Sequence, residues 1–496
     1  MVNNSANFAS KAGYFFSQEG HHAAIIAPEM LISYGELAQE SEAVKKNLSE
    51  RELRKGQRVG LLGPSSPEYM ILLYGIWQAG MIPVPLNTRW PQKIIQESIA
   101  EIGGSTVIEI STDKKRIEIT GINTIDGLEL FRKKDKIKNQ VQSNQIKFNL
   151  EHDATILFTS GSRGKPKAAL HSFRNHFYSA LGSAQNIPFG KGDRWLLSLP
   201  LYHVGGMAIL FRALLGGGAV VIPLPNSILV ETLIAQKITH ISLVTAQLKQ
   251  LLQARSNLPF LKSMKAILLG GGPIPGNLVE MAQKEKLPLF CSYGSTEMSS
   301  QITTTGKDDS LSQLQTAGCI LPYRELIIAE DSEILVRGDT LFKGYVKADN
   351  IDPARDKKGW FHTGDLGWLD DQGYLIVTGR KDNMFISGGE NIQPEEIESV
   401  LMQFEGIEQA LVVPIDHPKY GKRPVAFIKI QDTGMQDNKI QDDKIQEIKA
   451  DLEKKLPKFK IPDTFLSWPD LDEQMKMSRT KLRKLAEQIL SRKVYQ

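Results

Sequence analysis

The sequence has few cysteines, little net charge and no signal for export. Only two of its 496 residues are cysteines, Cys291 and Cys319, and they do not form a Cys-x-x-Cys pair. This count excludes a disulfide scaffold and favours a reducing cytoplasm. The net charge of +4 indicates no dedicated nucleic-acid surface, although it mildly favours anionic ligands. The first residues, MVNNSAN, lack the basic and apolar regions of a signal peptide.

An uninterrupted membrane-spanning run is also missing. Residues 70–86 (MILLYGIWQAGMIPVPL) are nearly long enough to cross a bilayer, but Gln78, Gly80 and two prolines interrupt them. We interpret this stretch as a buried helix followed by a strand, as in a helix-covered α/β core. The chain also exceeds the roughly 250–300 residues at which single cores stop growing, so we expect at least two domains.

Alternating helical and strand patterns predict an α/β fold. A helical pattern at Tyr34–Glu50 alternates with short apolar runs such as residues 58–62 and 218–223, which indicates layered, mostly parallel sheets with helices. After residue 379 the pattern changes to a helix that starts at Pro394, with an apolar face, and a strand at 409–414. We therefore predict an N-terminal domain at 1–379 and a small α+β domain at 380–496. The polar residues 431–453 predict an exposed loop that leads into a helix.

Residues 159–167 (TSGSRGKPK) form the most informative segment, because they combine glycines, hydroxyls and cations after the apolar run 154–158. Glycine allows close backbone approach, bared N–H groups and hydroxyls donate to phosphate oxygens, and Lys or Arg supplies the opposing charge. The apolar run predicts a buried strand that carries the loop to a sheet edge. Neither the Walker spacing nor Gly-x-Gly-x-x-Gly is present. A solvated Ser/Gly linker is the alternative interpretation.

Further motif-like segments follow this loop along the chain. They are LPLYHVGG at 199–206, LLGGGP at 268–273, SYGSTE at 292–297, WFHTGDLG at 360–367, GRKD at 379–382 and SGGENI at 387–392. Together with the loop, they resemble the adenylate-forming superfamily of acyl-CoA synthetases, aryl-CoA ligases, luciferases and peptide-synthetase adenylation domains. The resemblance runs from about residue 10 to the C-terminus and implies a large AMP-binding domain followed by a small mobile one.

The resemblance implies ATP, Mg²⁺ and CoA as ligands. A carboxylate resists nucleophilic attack, so these enzymes first convert it to an acyl-AMP, with release of pyrophosphate, and a thiol then displaces AMP. The residues that match the nucleotide site of the family are Thr159, Ser160, Gly161, Ser162, Gly164, Lys165, Lys167, Gly271, Gly272, Pro273, Tyr293, Gly294, Thr296, Asp365 and Arg380. Among them, Tyr293 matches the residue that stacks on adenine, and Asp365 matches the acid that accepts the ribose hydroxyls.

The resemblance also implies three catalytic residues. Glu297 and the Thr159 hydroxyl match the groups that hold Mg²⁺ against the phosphates, and magnesium prefers such hard oxygen ligands. Lys481 matches the lysine that bridges carboxylate, α-phosphate and ribose during adenylation. The match is imperfect because Thr480 replaces the usual glycine, so Lys476 is a rival.

Other matched positions concern CoA, the hinge and the acid. Gly388 and Gly389 match the loop that lines the pantetheine channel, although both could simply shape a turn before the Pro394 helix. Asp382 matches the hinge about which the C-terminal domain rotates. His203 is expected to line the acyl pocket. Arg163 stands where the family usually has threonine, and we expect it to have little effect on ATP affinity.

The subfamily that the chain resembles most is the o-succinylbenzoate:CoA ligases of menaquinone synthesis. This resemblance is carried by Ser162, by residues 167–169 (KAA), by residues 199–206 (LPLYHVGG) and by the compact length. Since this substrate has two carboxylates, the acyl pocket should contain a cation for the unreacting one, and Arg212 is the candidate. A surface salt bridge is the alternative role for Arg212. Another aryl- or fatty-acyl-CoA ligase, an enzyme that loads a carrier-protein pantetheine and a non-catalytic nucleotide-binding module are the competing functions. We expect no nucleic acid and no membrane span, and a homo-oligomer is compatible with the sequence.

Overall fold

The computed structural model describes residues 20–28, 30–111, 119–131, 148–159, 166–223, 229–253, 256, 258–404, 406–430, 442–469 and 479–494. The backbone packs into two compact units. The first comprises Met1–Ile274, Met281–Leu326 and Val336–His362, and the second comprises Pro275–Glu280, Ile327–Leu335 and Thr363–Gln496. The domain boundary that the sequence predicts at residue 380 stays a prediction.

Helices and strands alternate along most of the chain. The helices are α1 Tyr34–Glu50, α2 Pro67–Gln78, α3 Gln92–Glu101, α4 Phe173–Asn186, α5 Val204–Gly216, α6 Leu229–Ala235, α7 Thr245–Gln253, α8 Leu258–Ser263, α9 Gly276–Lys284, α10 Leu311–Leu314, α11 Pro394–Leu401, α12 Asp442–Lys455 and α13 Arg479–Val494. Short 3-10 helices occupy Gly127–Phe131, Lys381–Asn383 and Lys458–Lys460.

The strands are β1 Ala23–Ala27, β2 Met30–Ser33, β3 Arg58–Leu62, β4 Ile82–Pro85, β5 Thr106–Glu109, β6 Asn123–Asp126, β7 Asp153–Thr159, β8 Lys167–Ser172, β9 Arg194–Leu196, β10 Ala219–Val221, β11 His240–Leu243, β12 Ala266–Leu269, β13 Leu289–Ser295, β14 Ser300–Thr304, β15 Cys319–Ile320, β16 Arg324–Ile328, β17 Glu333–Gly338, β18 Gly344–Lys347, β19 Asn350–Asp352, β20 Phe361–Leu369, β21 Leu375–Arg380, β22 Phe385–Ser387, β23 Glu390–Ile392, β24 Ile407–His417, β25 Gly421–Ile430 and β26 Thr464–Ser467.

Three sheets make up the first unit. The largest has nine strands in the order β15-β14-β13-β12-β11-β9-β10-β1-β2. Its central strands, from β13 to β1, are parallel, whereas β14, β15 and β2 are antiparallel additions at the edges. A second sheet, β4-β3-β5-β6, is entirely parallel, and a third, β19-β18-β8-β7, is antiparallel. The predicted α/β class with mostly parallel sheets is confirmed.

An aromatic cluster fills the core of the first unit. The Trp77 ring on α2 packs edge-on against Phe148 and Phe173, at centroid distances of 6.2 and 5.6 Å, and lies 5.3 Å from Phe211. Its indole nitrogen donates to the carbonyl of Ala154, at the start of β7, over 2.6 Å. Burial of such rings is the main favourable contribution to the stability of the core. The core therefore fixes the strand from which the phosphate loop leaves.

The second unit contains a smaller core. Strands β24, β25 and β26 form a sheet, in which the first pair is antiparallel and the second parallel. One apolar cluster joins α11 to this sheet through Ile397 and Leu401. Another cluster buries Leu482 and Ala486, which lie four residues apart on one face of α13. Apolar packing thereby holds α13 and α11 to the same small domain.

Several predictions from local patterns are confirmed. Helix α1 has the predicted bounds, because a capping box between Ser33 and Glu36 starts it. The apolar stretch 70–86 is divided into α2 and β4, and α11 begins at the predicted Pro394. Residues 431–441 lie outside the described residues, and helix α12 occupies 442–455, so the loop predicted over 431–453 is wrong from residue 442 onward. The helix forms there because Ile448 and Leu452 share one face and are buried. Within the described ranges, every helix is too short or too polar to cross a bilayer.

Candidate active site

Six of the predicted nucleotide-site residues of the first unit lie at one edge of the nine-stranded sheet, and they are Gly271, Gly272, Pro273, Tyr293, Gly294 and Thr296. Parallel strands β11, β12 and β13 are direct neighbours, with Leu269 opposite Cys291. Gly271 to Pro273 follow β12, whereas Tyr293 lies near the end of β13, so both groups occur at the carboxyl ends of adjacent strands. Open α/β sheets bind ligands in the crevice outside this edge. The structure thus brings these two predicted groups together.

The turns at this edge are held by hydrogen bonds. The Thr245 hydroxyl, just after β11, donates to the carbonyl of Pro273 over 3.0 Å. Gly271 has a φ of +83°, which favours glycine, and it is exposed together with Gly272 and Pro273. Tyr293 is half-buried on β13, opposite Thr303. An exposed glycine backbone and a half-buried ring on neighbouring strands are suitable groups for contact with a nucleotide base.

The strands on either side of the predicted phosphate loop, β7 and β8, pair with each other in antiparallel fashion. Thr159 is the last residue of β7 and lies opposite Lys167, the first residue of β8. The buried strand that the sequence predicts before the loop is confirmed, since residues 154–158 are all buried. The predicted loop residues lie outside the described residues, and they are Ser160, Gly161, Ser162, Arg163, Gly164 and Lys165.

A chain of three side chains links this hairpin to the predicted metal-binding acid. The Lys167 ammonium lies over the ring of Tyr345, 4.9 Å from its centroid. The Tyr345 hydroxyl donates to Oε1 of Glu297 over 2.7 Å. Tyr345 is on β18, which pairs with β8, so the third sheet holds Lys167 and Tyr345 side by side. The motif search did not identify Tyr345, because it is 48 residues from Glu297 in sequence.

The turn that carries Glu297 is fixed on two sides. The backbone N–H of Phe342 donates to the carbonyl of Glu297 over 2.7 Å. The Nε2 atom of His171, on β8, lies 2.7 Å from the carbonyl of Thr296. Burial lowers the pKa of His171 to about 4, so the ring is neutral at pH 7 and its Nε2 carries the proton that this carbonyl accepts. Strand β8 therefore supports both the phosphate loop and the turn of Glu297.

The same turn has an unusual backbone. Ser299 and Ser300 have φ values of +55° and +114°, in a region that residues other than glycine rarely adopt. Ser299 is fully buried and its hydroxyl donates to the carbonyl of Thr340 over 2.9 Å. A conformation of this kind persists only where the surrounding structure imposes it, and it is concentrated at functional sites.

The oxygen donors at this edge fit magnesium. Glu297 is half-buried, and since a carboxylate has about four lone-pair positions, it can bind a cation while Tyr345 donates to Oε1. Magnesium is commonly bound through one or two carboxylates plus substrate phosphates rather than by a cage of protein ligands. Consistent with this, the described residues contain no cluster of three or more His, Cys, Asp or Glu side chains that could hold a metal.

The two predicted acyl-pocket residues occupy different environments on one helix. His203 is the exposed residue that precedes α5, and its ring packs edge-on against Tyr202 at 4.7 Å. Arg212 is buried further along α5, with its guanidinium 4.8 Å from the centroid of Trp195. Burial lowers the pKa of Arg212 to about 10. A surface salt bridge therefore does not describe Arg212.

Neutral oxygens satisfy the Arg212 guanidinium. Its Nε donates to the Ser183 hydroxyl over 3.1 Å, and Nη2 donates to Oε1 of Gln301 over 2.7 Å. A second buried cation, Arg324, donates to the Gln301 carbonyl over 2.6 Å, and burial lowers its pKa to about 9. The sequence did not reveal Arg324, because no motif surrounds it. Two buried guanidinium groups with neutral partners make this region strongly electropositive.

In the second unit, β20 and β21 form a hairpin that pairs Asp365 with Arg380. Nη1 of Arg380 donates to Oδ1 of Asp365 over 2.7 Å, and the Asp365 side chain is 15% exposed. Gly364 has a φ of +71°, and a Cβ there would lie 2.9 Å from Arg380 Nη2. Glycine at this position therefore allows the close approach of the two predicted ribose-site residues.

The hinge and channel candidates also lie in short turns of the second unit. Asp382 is in the 3-10 helix Lys381–Asn383, is exposed, and has its Oδ2 3.7 Å from Nη2 of Arg380. Gly388 and Gly389 connect β22 to β23 with φ values of +60° and +92°. Two central residues with positive φ define the tight hairpin turn in which glycine is favoured. The glycines thus have a structural role, and their role in a channel stays a prediction.

Lys481 lies in the first turn of α13. It is exposed, and it is flanked by Arg479, which is mostly buried, and by buried Leu482. Lys476 lies outside the described residues. The geometry of this helix therefore holds the predicted catalytic lysine outward from the small domain.

Comparisons with known proteins agree with these motifs. The chain matches the family described as AMP-binding enzyme over residues 15–346 and the AMP-binding enzyme C-terminal domain over residues 396–475. A curated relative, 2-succinylbenzoate--CoA ligase of Oceanobacillus iheyensis, is 32% identical over 443 residues, which cover 87% of this chain and 89% of the relative. The ligase of the same name from Bacillus velezensis is 32% identical over 486 residues, or 94% of this chain and 96% of the relative.

Solved structures give the same picture. The o-succinylbenzoate CoA synthetase from Bacillus subtilis, in complex with the acyl-adenylate intermediate OSB-AMP, is 29% identical with a TM-score of 0.83, and the match covers 97% of both chains. The same enzyme in complex with ATP and a magnesium ion matches with a TM-score of 0.82 and 29% identity, over 96% of this chain and 98% of that one.

Proposed function

Since this chain belongs to the AMP-binding, adenylate-forming enzymes and is an acid–CoA ligase of the AMP-forming type, we propose that the acid it activates is o-succinylbenzoate. The observation that carries the proposal is the similarity to o-succinylbenzoate ligases over nearly the whole chain, from the phosphate loop to the small domain. The overall reaction converts the acid, ATP and CoA into acyl-CoA, AMP and pyrophosphate.

The first half-reaction joins the acid to AMP. A carboxylate oxygen of the acid attacks the α-phosphorus of ATP, and the bond to the bridging oxygen breaks with release of pyrophosphate. Negative charge around phosphorus increases in this transition state, so fixed cations and N–H donors accelerate the step. We assign this stabilisation to the loop that begins at Thr159, to Lys167 and to Lys481. Magnesium, when bound through Glu297 and the Thr159 hydroxyl, would neutralise phosphate charge.

The base and the ribose of the nucleotide are assigned to separate groups of residues. We assign the base to the surface formed by Gly271, Gly272 and Tyr293, and the ribose hydroxyls to Asp365, which Arg380 holds by the 2.7 Å contact. A carboxylate accepts two hydroxyl hydrogens well because it has several lone pairs. In the second half-reaction the CoA sulfur attacks the acyl carbon, the bond to AMP breaks, and the thiol proton passes to solvent.

The electropositive region around Arg212 supports a substrate with a second carboxylate. A buried guanidinium retains a strong attraction for anions when it donates to neutral oxygens, as Arg212 does to Ser183 and Gln301. We propose that Arg212 attracts the unreacting carboxylate into the acyl pocket, with His203 at the opposite end of helix α5. Because Arg212 is buried, the proposed site for the unreacting carboxylate lies inside the pocket rather than at its rim.

A substrate panel tests the proposed function. We would follow AMP and thioester formation by mass spectrometry with ATP, Mg²⁺ and CoA and with o-succinylbenzoate, benzoate, coumarate or octanoate. A strong preference for o-succinylbenzoate supports the proposal and a place in menaquinone synthesis. Preference for a monocarboxylate overturns the proposed substrate but keeps the ligase chemistry. No turnover with any of the four acids would contradict the proposed substrate and would direct the search to other acids or to a carrier-protein acceptor.

A matched analogue tests Arg212. In the analogue the unreacting carboxylate of o-succinylbenzoate is replaced by a carboxamide. We expect Arg212→Lys to raise the KM for o-succinylbenzoate about tenfold, since an ammonium cannot reproduce the planar guanidinium contacts. The KM for the analogue should change much less. Equal changes for both substrates would mean that Arg212 supports the fold only.

Two single substitutions distinguish the candidate lysines. We expect Lys481→Ala to reduce ATP–pyrophosphate exchange by about 10²-fold or more, because it removes a cation from the adenylation transition state. Lys476→Ala should leave exchange within a small factor of the parent rate. The opposite pattern would transfer the role to Lys476.

A further inference from the structure

An ionic cluster in the second unit lies two residues before the proposed catalytic lysine. Arg479, the first residue of α13, donates through Nη2 to Oε1 of Glu395 over 3.0 Å and to Oε2 of Glu398 over 3.2 Å. Its Nη1 donates to Glu398 and to the carbonyl of Val412. Both carboxylates belong to α11, so one guanidinium joins the two helices.

The position of Arg479 is informative because a helix start disfavours a cation. The helix dipole presents partial positive charge at this end, and an arginine there is destabilising on its own. The carboxylates of Glu395 and Glu398 offset this unfavourable interaction with the helix dipole, because they supply two negative charges. The side chains are largely withdrawn from solvent, with 19% exposure for Arg479, 14% for Glu395 and 13% for Glu398. Ion pairs at such sites are screened less by salt than pairs on the surface.

Glu395 extends the cluster to the predicted hinge. Its Oε1 also accepts from the side-chain amide of Asn383, and its Oε2 accepts from the amide of Gln393. The same Gln393 amide donates to the backbone carbonyl of Arg380 over 3.0 Å. Asn383 and Arg380 are the residues on either side of Lys381 and Asp382. Glu395 is therefore the common acceptor that joins the start of α13 to both sides of the predicted hinge position.

Glu398 anchors the other side of the cluster. Its Oε1 accepts from the backbone N–H of Val412 over 2.6 Å, in the middle of β24. Apolar packing of Leu482 and Ala486 holds the body of α13 to the same sheet. Apolar packing, which Leu485 and Ile489 also join, is not directional, whereas a bidentate guanidinium fixes direction as well as position.

From this geometry we propose that Arg479 is a positioning residue for Lys481: clamped by Glu395 and Glu398, it fixes the first turn of α13 to the segment 380–383, so that the lysine keeps a set direction relative to the hinge. The inference rests on the role proposed for Lys481. The lysine is in the same helical turn, and a displacement of about 1 Å of a catalytic group can lower a rate about 10²-fold. The clamp should therefore serve adenylation, the half-reaction that uses Lys481, and not thioester formation.

Separate assays of the two half-reactions test the proposal in the full-length enzyme. Adenylation is measured by ATP–pyrophosphate exchange with o-succinylbenzoate, or with the acid that the panel selects. Thioester formation is measured from synthetic acyl-adenylate and CoA. We expect Arg479→Gln to lower the rate constant for exchange between about tenfold and 10²-fold, with the KM for ATP nearly unchanged, while thioester formation keeps its parent rate. Arg479→Lys should recover part of the loss, since an ammonium reaches one carboxylate but not both.

The chain offers a matched control on the same helix. Arg483 is partly exposed and pairs with Glu487 at 2.9 Å, one turn further along α13. Arg483→Gln should leave both half-reactions unchanged, which separates the clamp from a general effect of removing a cation. If Arg479→Gln fails to fold, Glu395→Gln replaces it, because the amide keeps one acceptor oxygen for Arg479 but loses the charge and the second acceptor. We expect Glu395→Gln to lower ATP–pyrophosphate exchange selectively, but by a smaller factor than Arg479→Gln.

The outcomes separate this inference from the proposed function. If Lys481→Ala leaves exchange intact, the proposed role of that lysine fails, and the inference fails with it. If Lys481→Ala abolishes exchange and Arg479→Gln does not change it, only the clamp is refuted. Equal losses in both half-reactions would make Arg479 merely structural and would also refute it. Support requires a selective loss of adenylation that is not additive with Lys481→Ala.

Discussion

The two units hold their candidate catalytic groups by different means. In the first unit, Glu297 accepts a neutral phenol hydrogen bond from Tyr345, and its turn is fixed by a neutral imidazole and by backbone contacts. In the second unit, the candidates are held by opposite charges, as in Asp365 with Arg380 and Arg479 with Glu395. Ionic strength has little effect on the strength of neutral buried hydrogen bonds. The strength of an ion pair, in contrast, depends on ionic strength and on its exposure to solvent.

This difference suggests a division of labour. The groups of the first unit lie at the ends of sheet strands or in turns held by neighbouring strands, and they can keep one arrangement through both half-reactions. The groups of the second unit lie on a hairpin, a short turn and a helix start, where charge pairs supply precision that a small core does not. The following substitutions test this contrast, beginning with the largest expected effect.

The charge of Glu297 should have the greatest effect on rate. Glu297→Gln keeps an oxygen that can accept from Tyr345 but loses the negative charge. We expect ATP–pyrophosphate exchange to fall about 10³-fold and the magnesium requirement to rise, because electrostatic stabilisation is usually the largest catalytic contribution. Exchange rates measured across a magnesium titration check this.

A matched carboxylate provides the control for Glu297. Glu325 is exposed and pairs with Arg337 in the same unit at 2.6 Å, so Glu325→Gln should leave exchange unchanged. A loss of less than threefold for Glu297→Gln would show that the acid has no role in the metal site. Tyr345→Phe in the Glu297→Gln background should cause little further loss if the phenol acts through the carboxylate.

Loss of the Asp365 charge in the second unit should have the next largest effect on catalysis. Asp365→Asn removes the carboxylate that pairs with Arg380 at 2.7 Å. We expect kcat/KM for ATP to fall about 10²-fold, since hydrogen bonds to charged groups contribute about 1.5–3 kcal/mol. Asp331→Asn is the control, because that exposed acid pairs with Lys381 in the same unit. Equal effects of the two substitutions would argue against a ribose site at Asp365.

Backbone crowding at Gly294 should affect stability rather than chemistry alone. A Cβ at Gly294 would overlap the carbonyl oxygen of Ser300 across the hairpin of β13 and β14. We expect Gly294→Ala to lower the free energy of unfolding by about 2 kcal/mol, as overpacking in a fixed structure does. Urea unfolding measures this change.

Gly272 is the matched glycine for that experiment. A Cβ there meets nothing within 4 Å, so Gly272→Ala should leave the free energy of unfolding unchanged. Its effect should instead be a higher KM for ATP, if the base packs against this backbone as proposed. Equal destabilisation by the two alanines would contradict the role of the Ser300 contact.

Acid should weaken the first unit through its buried histidines. Burial lowers the pKa of His171 to about 4 and places that of His176 well below its ordinary value. The unfolded chain takes up these protons near pH 6.5, whereas the folded protein does not. The contribution of each neutral ring is therefore complete above about pH 6.5 and is lost as the pH falls toward 4, by up to about 1.4 kcal/mol per pH unit.

Comparison of the parent with His171→Gln checks this dependence. Glutamine can still donate to the carbonyl of Thr296 but does not titrate, so the variant should show a shallower fall of unfolding free energy between about pH 6.5 and 4. Urea midpoints at several pH values give the slopes. Parallel slopes would mean that His171 is protonated in the folded state.

Local patterns predicted the elements well. The helical pattern predicted the bounds of α1, and Gln78, Gly80 and two prolines predicted the division of residues 70–86. These signals lie within the element that they define. The adenylate-forming family could also be predicted, because its motifs are short and contiguous.

Local sequence patterns could not predict the contacts between residues that are far apart in sequence. Tyr345 contacts Glu297 across 48 residues, His171 contacts Thr296 across 125, and Arg479 contacts Glu395 across 84. Nothing in the sequence near any of these residues indicates its partner, because sheet order and helix docking create the contact. Arg212 was identified as a cation of interest, but its burial and its neutral partners depend on the packing of α5 against Trp195 and Gln301.

The hairpin of β7 and β8 also matters for protein engineering. Thr159 and Lys167 lie opposite each other, so both ends of the intervening segment are anchored about 5 Å apart. A segment with its ends anchored in this way can be exchanged in length and composition without moving either strand, since loop closure adds little cost as length changes. Residues 160–166 are therefore a natural cassette for grafting the corresponding segments of relatives, while the scaffold that presents them stays constant.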